Sequence, residues 1–150
     1  MSAVLLENMT WEEAKDYAKQ DPVVIVPLGS IEQHGPHLPL KVDIASADYI
    51  ARAVGEKTGA LVTPPLNFGF SELWHTYPGT ISFSADTFKS ALHDICYSLI
   101  RTGFKKIFLI NGHNPNLIVM QTAAYELIDL YEELDISIAA STYIFMAAEK

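Results

Sequence analysis

The chain predicts an α/β fold in three layers, α/β/α, with a mostly parallel sheet. Three observations carry that prediction. Short apolar runs such as Val23 to Val26 and Lys106 to Ile110 have the length and β-branched content of buried strands. Segments of helical period lie between them. Loops rich in Gly, Pro and His follow the strands directly, where an open parallel sheet places its chemistry. Alternation of this kind implies helices on both faces and right-handed crossovers.

Taken in order, Thr10 caps a short helix running to about Lys19, with Glu13 three residues on as its capping-box partner. Val23 to Pro27 forms a strand. Ile44 to about Thr58 forms a helix with Ile44, Ala47, Ala51 and Val54 on one face, and Gly59 stops it. Ala60 to Thr63 is a short strand closed by Pro64-Pro65, and an irregular stretch from Leu66 to Ser84 follows. Phe88, Ala91, Leu92, Ile95, Leu99 and Ile100 mark the clearest helix, which Gly103 ends. Lys106 to Ile110 is a buried strand stopping at Asn111-Gly112-His113. Pro115 suits the first turn of a helix reaching about Leu134. Ile136 to Tyr143 is the last strand, and the apolar residues Ile144 to Ala148 extend it. No repeat, low-complexity segment or linker interrupts the chain, so residues 1–150 read as one domain.

The totals fit that reading. An apolar fraction of 49% with 19% charged residues over 150 positions describes a globular chain with a real core. A net charge of −8 argues against a nucleic-acid partner, which needs a basic face. The single cysteine, Cys96, excludes an intrachain disulfide and reads as a buried structural thiol. No secretory signal is evident, and no window reaches the roughly 18–20 apolar residues of a membrane span. A cytoplasmic protein without a membrane partner is expected.

Chemistry concentrates in three loops that a parallel sheet brings to one edge. The first holds Glu32, His34, His37 and Asp43; the second Ser71, Glu72, Trp74, His75 and Tyr77; the third His113. Carboxylates and imidazoles together suit divalent metals. Glu32 and His34, two residues apart, project to one side of an extended segment and can reach one metal or two adjacent ones. Their alternative is a solvated loop. Asp43 is either a third ligand or the N-cap of the helix at Ile44. His113 points over the strand ends as a ligand or as a structural imidazole. His37 either holds a ligand in place or faces water. His75, between Trp74 and Tyr77, suits a substrate pocket or plain packing, and His93 is a helix-surface residue without a functional role.

These residues carry a family resemblance. Gly29-Ser30-Ile31-Glu32-Gln33-His34-Gly35-Pro36-His37-Leu38-Pro39-Leu40, with Asp43, resembles the signature loop of the creatininase (creatinine amidohydrolase) family. Gly69-Phe70-Ser71-Glu72-Leu73-Trp74-His75-Thr76-Tyr77-Pro78-Gly79-Thr80 is similar to its second motif. Asn111-Gly112-His113-Asn114-Pro115-Asn116 stands where the family has its Asn-Gly-His segment. The resemblance implies a three-layer α/β/α fold and two metal sites holding zinc, manganese or iron. It also implies hydrolysis of C–N bonds in small cyclic amides and formamides, and a homo-oligomer, often a hexamer. Carried over residue by residue, Glu32 and His113 would bind one metal, His34 the other, and Asp43 would bridge them. His75 matches a position near the substrate. Pro115 departs from creatininase itself, which has a glutamate ligand of the second metal there, so creatinine is not the favoured substrate. Relatives with this kind of third motif take a carboxylate from a later His-Ala-Gly and Glu-Thr-Ser segment. No such segment occurs before Lys150, so the resemblance implies that the family's C-terminal part is missing.

The leading expectation is a metal-dependent amidohydrolase. Two metals about 3.5–4 Å apart would share a bridging hydroxide that attacks a small amide or formamide carbonyl. His75 and Glu72 are the candidates for delivering a proton to the leaving nitrogen. The alternative is a catalytically incompetent or truncated relative that serves as a binding or scaffold subunit. A nucleotide-binding domain lacks its glycine-rich signature here. Tyr143, Phe145 and Met146 are apolar candidates for a contact between copies.

Overall fold

Alternation along two strands decides the layering. In the computed structural model, which describes residues 3–20 and 22–148, β2 spans Val23–Leu28 and β4 spans Lys106–Asn111. Successive side chains of a strand point to opposite faces. Val24, Val26, Leu28, Ile107 and Leu109 therefore join one buried cluster, while Ile25 and Ile110 join another. The first cluster is closed by α3 (Ala85–Thr102) and α4 (Asn116–Leu130), with Phe88, Leu92, Leu99, Met120 and Leu127 all buried. The second is closed by α2 (Val42–Thr58) through Ala51. Burying one such large side chain contributes about 1.5–3 kcal/mol, so the two clusters hold the layers together.

The sheet is completed by β1 (Val4–Leu5), β3 (Leu61–Val62) and β5 (Ser137–Thr142). Its order is β1-β3-β2-β4-β5. All the pairings are parallel, and Leu28 lies opposite Asn111 at the C-terminal ends of the central pair. The expected three-layer parallel architecture is present.

Several local expectations change. The helix after the first loop starts at Val42 with Lys41 as its N-cap, so Asp43 lies in the first turn and is not the cap. Val54 is exposed, and Gly55 takes its place in the buried face. A Cβ on Gly55 would lie 2.8 Å from Val62, so the missing side chain is what lets α2 and β3 pack closely there. α4 stops at Leu130, short of the expected Leu134. A 3₁₀ turn over Glu132–Leu134 follows, and Asp135 closes it in the left-handed region at φ 51°. The tail does not prolong the last strand: it turns into α5 (Tyr143–Ala148). The capping box of α1 (Trp11–Ala18) forms as expected, with the Thr10 N–H donating to Glu13 Oε2 at 2.7 Å. Among the described residues no helix is long and apolar enough to cross a membrane.

Candidate metal centre

Adjacent parallel strands whose following helices cover opposite faces leave a crevice at their C-terminal ends. β2 and β4 form such a pair, because α2 follows β2 onto one face and α4 follows β4 onto the other. The loop from Gly29 to Lys41 and the turn from Gly112 to Pro115 open into that crevice. Absent side chains let them meet. A Cβ on Gly29 would lie 2.5 Å from the backbone of Ile44, and one on Gly112 would lie 2.1 Å from the Asp43 carbonyl oxygen. The first turn of α2 is thereby pressed against the end of β4.

Glu32, Asp43 and His113 meet there, and one ligand atom from each lies within 4.8 Å of the others. Their exposures are 6%, 7% and 2%, so this is a buried charge cluster. His113 Nδ1 is 2.9 Å from Asp43 Oδ2 and 3.3 Å from Glu32 Oε1. His34 Nε2 lies 2.9 Å from Asp43 Oδ1. The Asp43 carboxylate thus sits between two imidazoles, with one oxygen toward each.

The outer nitrogens of both rings are spoken for by backbone carbonyls. His113 Nε2–H donates to the Phe70 carbonyl at 2.9 Å, and His34 Nδ1–H donates to the Glu32 carbonyl at 3.2 Å. A carbonyl only accepts, so each of these bonds places a hydrogen on the outer nitrogen and leaves the inner nitrogen aimed at the carboxylates. Metal-ligating histidines are oriented in the same way. Each carboxylate also accepts from a buried serine: Ser30 Oγ donates to Asp43 at 2.8 Å, and Ser71 Oγ donates to Glu32.

The electrostatics follow. Burial alone pulls His113 toward its neutral form, but the hydrogen bonds to Asp43 and Glu32 prevail and push its pKa up to about 9. Burial works against the charge on Asp43 as well. Hydrogen bonds from His113 and Ser30 outweigh it and hold the carboxyl below its usual range. Two buried carboxylates that concentrate negative charge against imidazole nitrogens suit a divalent cation, and the donor set fits one.

The other sequence candidates lie apart from this cluster. Glu72 and His75 are exposed on and just after a 3₁₀ turn, Glu72–Trp74, and Trp74 stacks edge-on with Tyr77 at 5.9 Å. His37 is exposed in its loop. His93 pairs across helices with Glu126 at 3.1 Å. What the second loop sends to the cluster is Ser71 and the Phe70 carbonyl. Ser71 was among the residues the sequence placed in the second loop, without this role, whereas the contacts of Ser30, Asn111 and Asn116 were not anticipated; Asn111, directly after a predicted strand, left the clearest signal.

A parallel α/β/α protein with a buried carboxylate–imidazole cluster at its switch point carries the donor set of a candidate divalent-metal site. Residues 7–149 match the Creatininase family model, described as creatinine amidohydrolase, and the chain belongs to this family. It is 33% identical to a creatinine amidohydrolase of Pseudomonas putida over 120 residues, 76% of this chain and 46% of that protein. It is 36% identical to a mycofactocin precursor peptide peptidase of Mycolicibacterium smegmatis over 108 residues, 68% of this chain and 43% of that protein. A solved creatininase variant of Zn-Zn type aligns with a TM-score of 0.90 at 28% identity, over 98% of this chain and 60% of that one. A manganese form of creatininase aligns similarly, with a TM-score of 0.87. The chain therefore spans less than half the length of these two curated relatives. Its homologues are hydrolases, and since one is a peptidase, the expected restriction to non-peptide bonds is not a property of the family as a whole.

Proposed function

We propose that this chain forms the metal-binding part of a metal-dependent amidohydrolase that cleaves a C–N bond of a small cyclic amide or formamide. One observation carries the reading: the Asp43 carboxylate lies between two imidazoles whose outer nitrogens are both tied to backbone carbonyls. In this reading Glu32 and His113 hold one divalent metal, His34 contributes to a second, and Asp43 serves both. Zinc and manganese are favoured, since creatininase structures of Zn-Zn and Mn type share the fold. Bound metal supplies a Lewis acid for a carbonyl oxygen and brings the pKa of a coordinated water toward neutrality.

The chain's own residues do the rest. Ser30 and Ser71 each occupy an oxygen of one carboxylate and fix its rotation. The Phe70 carbonyl holds the His113 ring. Leu28 and Ile110, at the C-terminal ends of β2 and β4, and Ile44, next to Asp43 in α2, are all buried. Glu72 and His75 remain the candidates for passing a proton to the leaving nitrogen. Their exposure favours a second reading of this chain taken alone, as a metal-binding unit without turnover.

Zinc or manganese titration of the purified chain, with Glu32→Ala and His113→Ala, tests the proposal alongside turnover of a panel of lactams, formamides and short peptides. Either substitution should abolish binding at one site and all turnover. Full activity in either variant would overturn the assignment. Metal binding without hydrolysis of any panel member would support the second reading.

A further inference from the structure

Asn116, the first residue of α4, is fully buried and touches all three loops of the crevice. Its Oδ1 accepts the Phe70 N–H at 2.8 Å, and its Nδ2 donates to the Gly29 carbonyl at 3.0 Å and to Asn111 Oδ1 at 3.1 Å. Both donors and the acceptor are used, so the amide has one orientation; a flip would set donor against donor and acceptor against acceptor. The chain leaves space for it. A Cβ on Gly69 would lie 2.5 Å from Asn116 Oδ1 and 2.4 Å from the Gly29 carbonyl oxygen.

Each arm ends one step from the charge cluster. Phe70, held by Oδ1, turns its carbonyl to His113 Nε2. Asn111, held by Nδ2, accepts the His113 N–H at 3.0 Å and donates to the His113 carbonyl. Gly29 precedes Ser30, which donates to Asp43. A buried amide with every hydrogen bond made rigidifies what it touches, and here it touches the supports of the imidazole from two sides.

We propose that Asn116 is a positioning residue of the metal centre: it ligates nothing itself, but fixes the Phe70 carbonyl and the Asn111 turn, and so sets the ring orientation and tautomer of His113. The inference rests on the metal reading given above. Groups that orient a ligating histidine typically change metal affinity by about 10–100-fold when removed.

The test uses the full chain with Zn²⁺ affinity by chelator competition and the visible spectrum of bound Co²⁺. Asn116→Ala should retain the wild-type circular dichroism, bind zinc about 10–100-fold more weakly and give an altered cobalt spectrum. A folded variant with zinc affinity within about twofold and an unchanged cobalt spectrum overturns the proposal. Wild-type chain provides an arm that does not need the variant to fold. In zinc-loaded protein, NMR should show an Nε2–H tautomer at His113 and a slowly exchanging Phe70 amide; an Nδ1–H tautomer or an unprotected Phe70 amide overturns it. The two readings fail separately. Wild-type chain that takes up no zinc, or His113→Ala chain that takes up as much as wild type, sinks the metal reading and this inference with it. Binding that His113→Ala removes and Asn116→Ala leaves intact sinks this inference alone.

Discussion

Gly112→Ala should disable the centre without replacing a ligand. A Cβ at this position would stand 2.1 Å from the Asp43 carbonyl oxygen, 2.8 Å from its carbon and 3.3 Å from its Cα. All three are backbone atoms, so no rotamer change relieves the clash. Reaching the 3.0 Å that real Cβ contacts respect requires a shift of 3.0 − 2.1 = 0.9 Å between the turn and the first turn of α2. Added to the 2.9 Å between His113 Nδ1 and Asp43 Oδ2, that displacement carries the pair beyond hydrogen-bond reach. The cost should fall near the top of the over-packing range, about 3 kcal/mol. For a chain of this length that lowers Tm by about 6–12 °C. Gly59→Ala is the control. Gly59 has φ 75° and nothing within 4 Å of an added Cβ, so only the left-handed backbone is penalised, by about 1–2 kcal/mol, and metal binding should survive. Thermal melts and zinc titrations of both variants decide it. A Gly112→Ala protein that melts within about 2 °C of wild type and binds zinc normally would refute the close-approach argument.

Other expectations follow from the same geometry. Asp43→Asn keeps the shape between the imidazoles but removes the charge, and should weaken zinc binding by at least about 100-fold in a competition assay. His113 has a folded pKa of about 9 against an ordinary 6.5, so its stabilising effect is complete below 6.5 and disappears as pH rises through 9. Chelator-treated protein should show a falling urea midpoint across that window, while manganese affinity rises by about tenfold per pH unit as metal displaces the proton. A flat profile in both would contradict the assignment. Cys96 is fully buried and its thiol is pushed up to about 12 by burial, so iodoacetamide should label it only in denaturant. Thr10→Ala removes the capping box of α1 and should cost about 1 kcal/mol in urea unfolding.

Much of this was legible because period and punctuation are local. The run from Phe88 to Ile100 with Gly103 gave the expected helix, and the structure sets it at Ala85–Thr102 with Gly103 in the left-handed region at φ 110°. The strands Val23–Leu28 and Lys106–Asn111 were visible as apolar runs. The two-residue β1 is too short for any period to register. The end of α4 was missed because Tyr131 caps it with no glycine or proline to mark the stop, and the 3₁₀ turn over Glu132–Leu134 carries the helical pattern on to Asp135. The tail was misread because Tyr143 to Met146 is apolar either way, and periodicity cannot separate a short buried strand from a helical turn. For the site, spacing marked Glu32, His34, Asp43 and His113, which the fold brings together. The supporting bonds from Ser30, Ser71 and Asn116 span 13, 39 and 46 or 87 positions along the chain, and no local pattern reports contacts of that range.

Whether Glu32, Asp43 and His113 hold a metal is read from metal uptake per chain by wild-type and His113→Ala protein, with each metal identified. Wild type should hold at least one tight equivalent of zinc or manganese, and the variant should lose it. Equal uptake by both proteins, or none by either, would contradict that assignment.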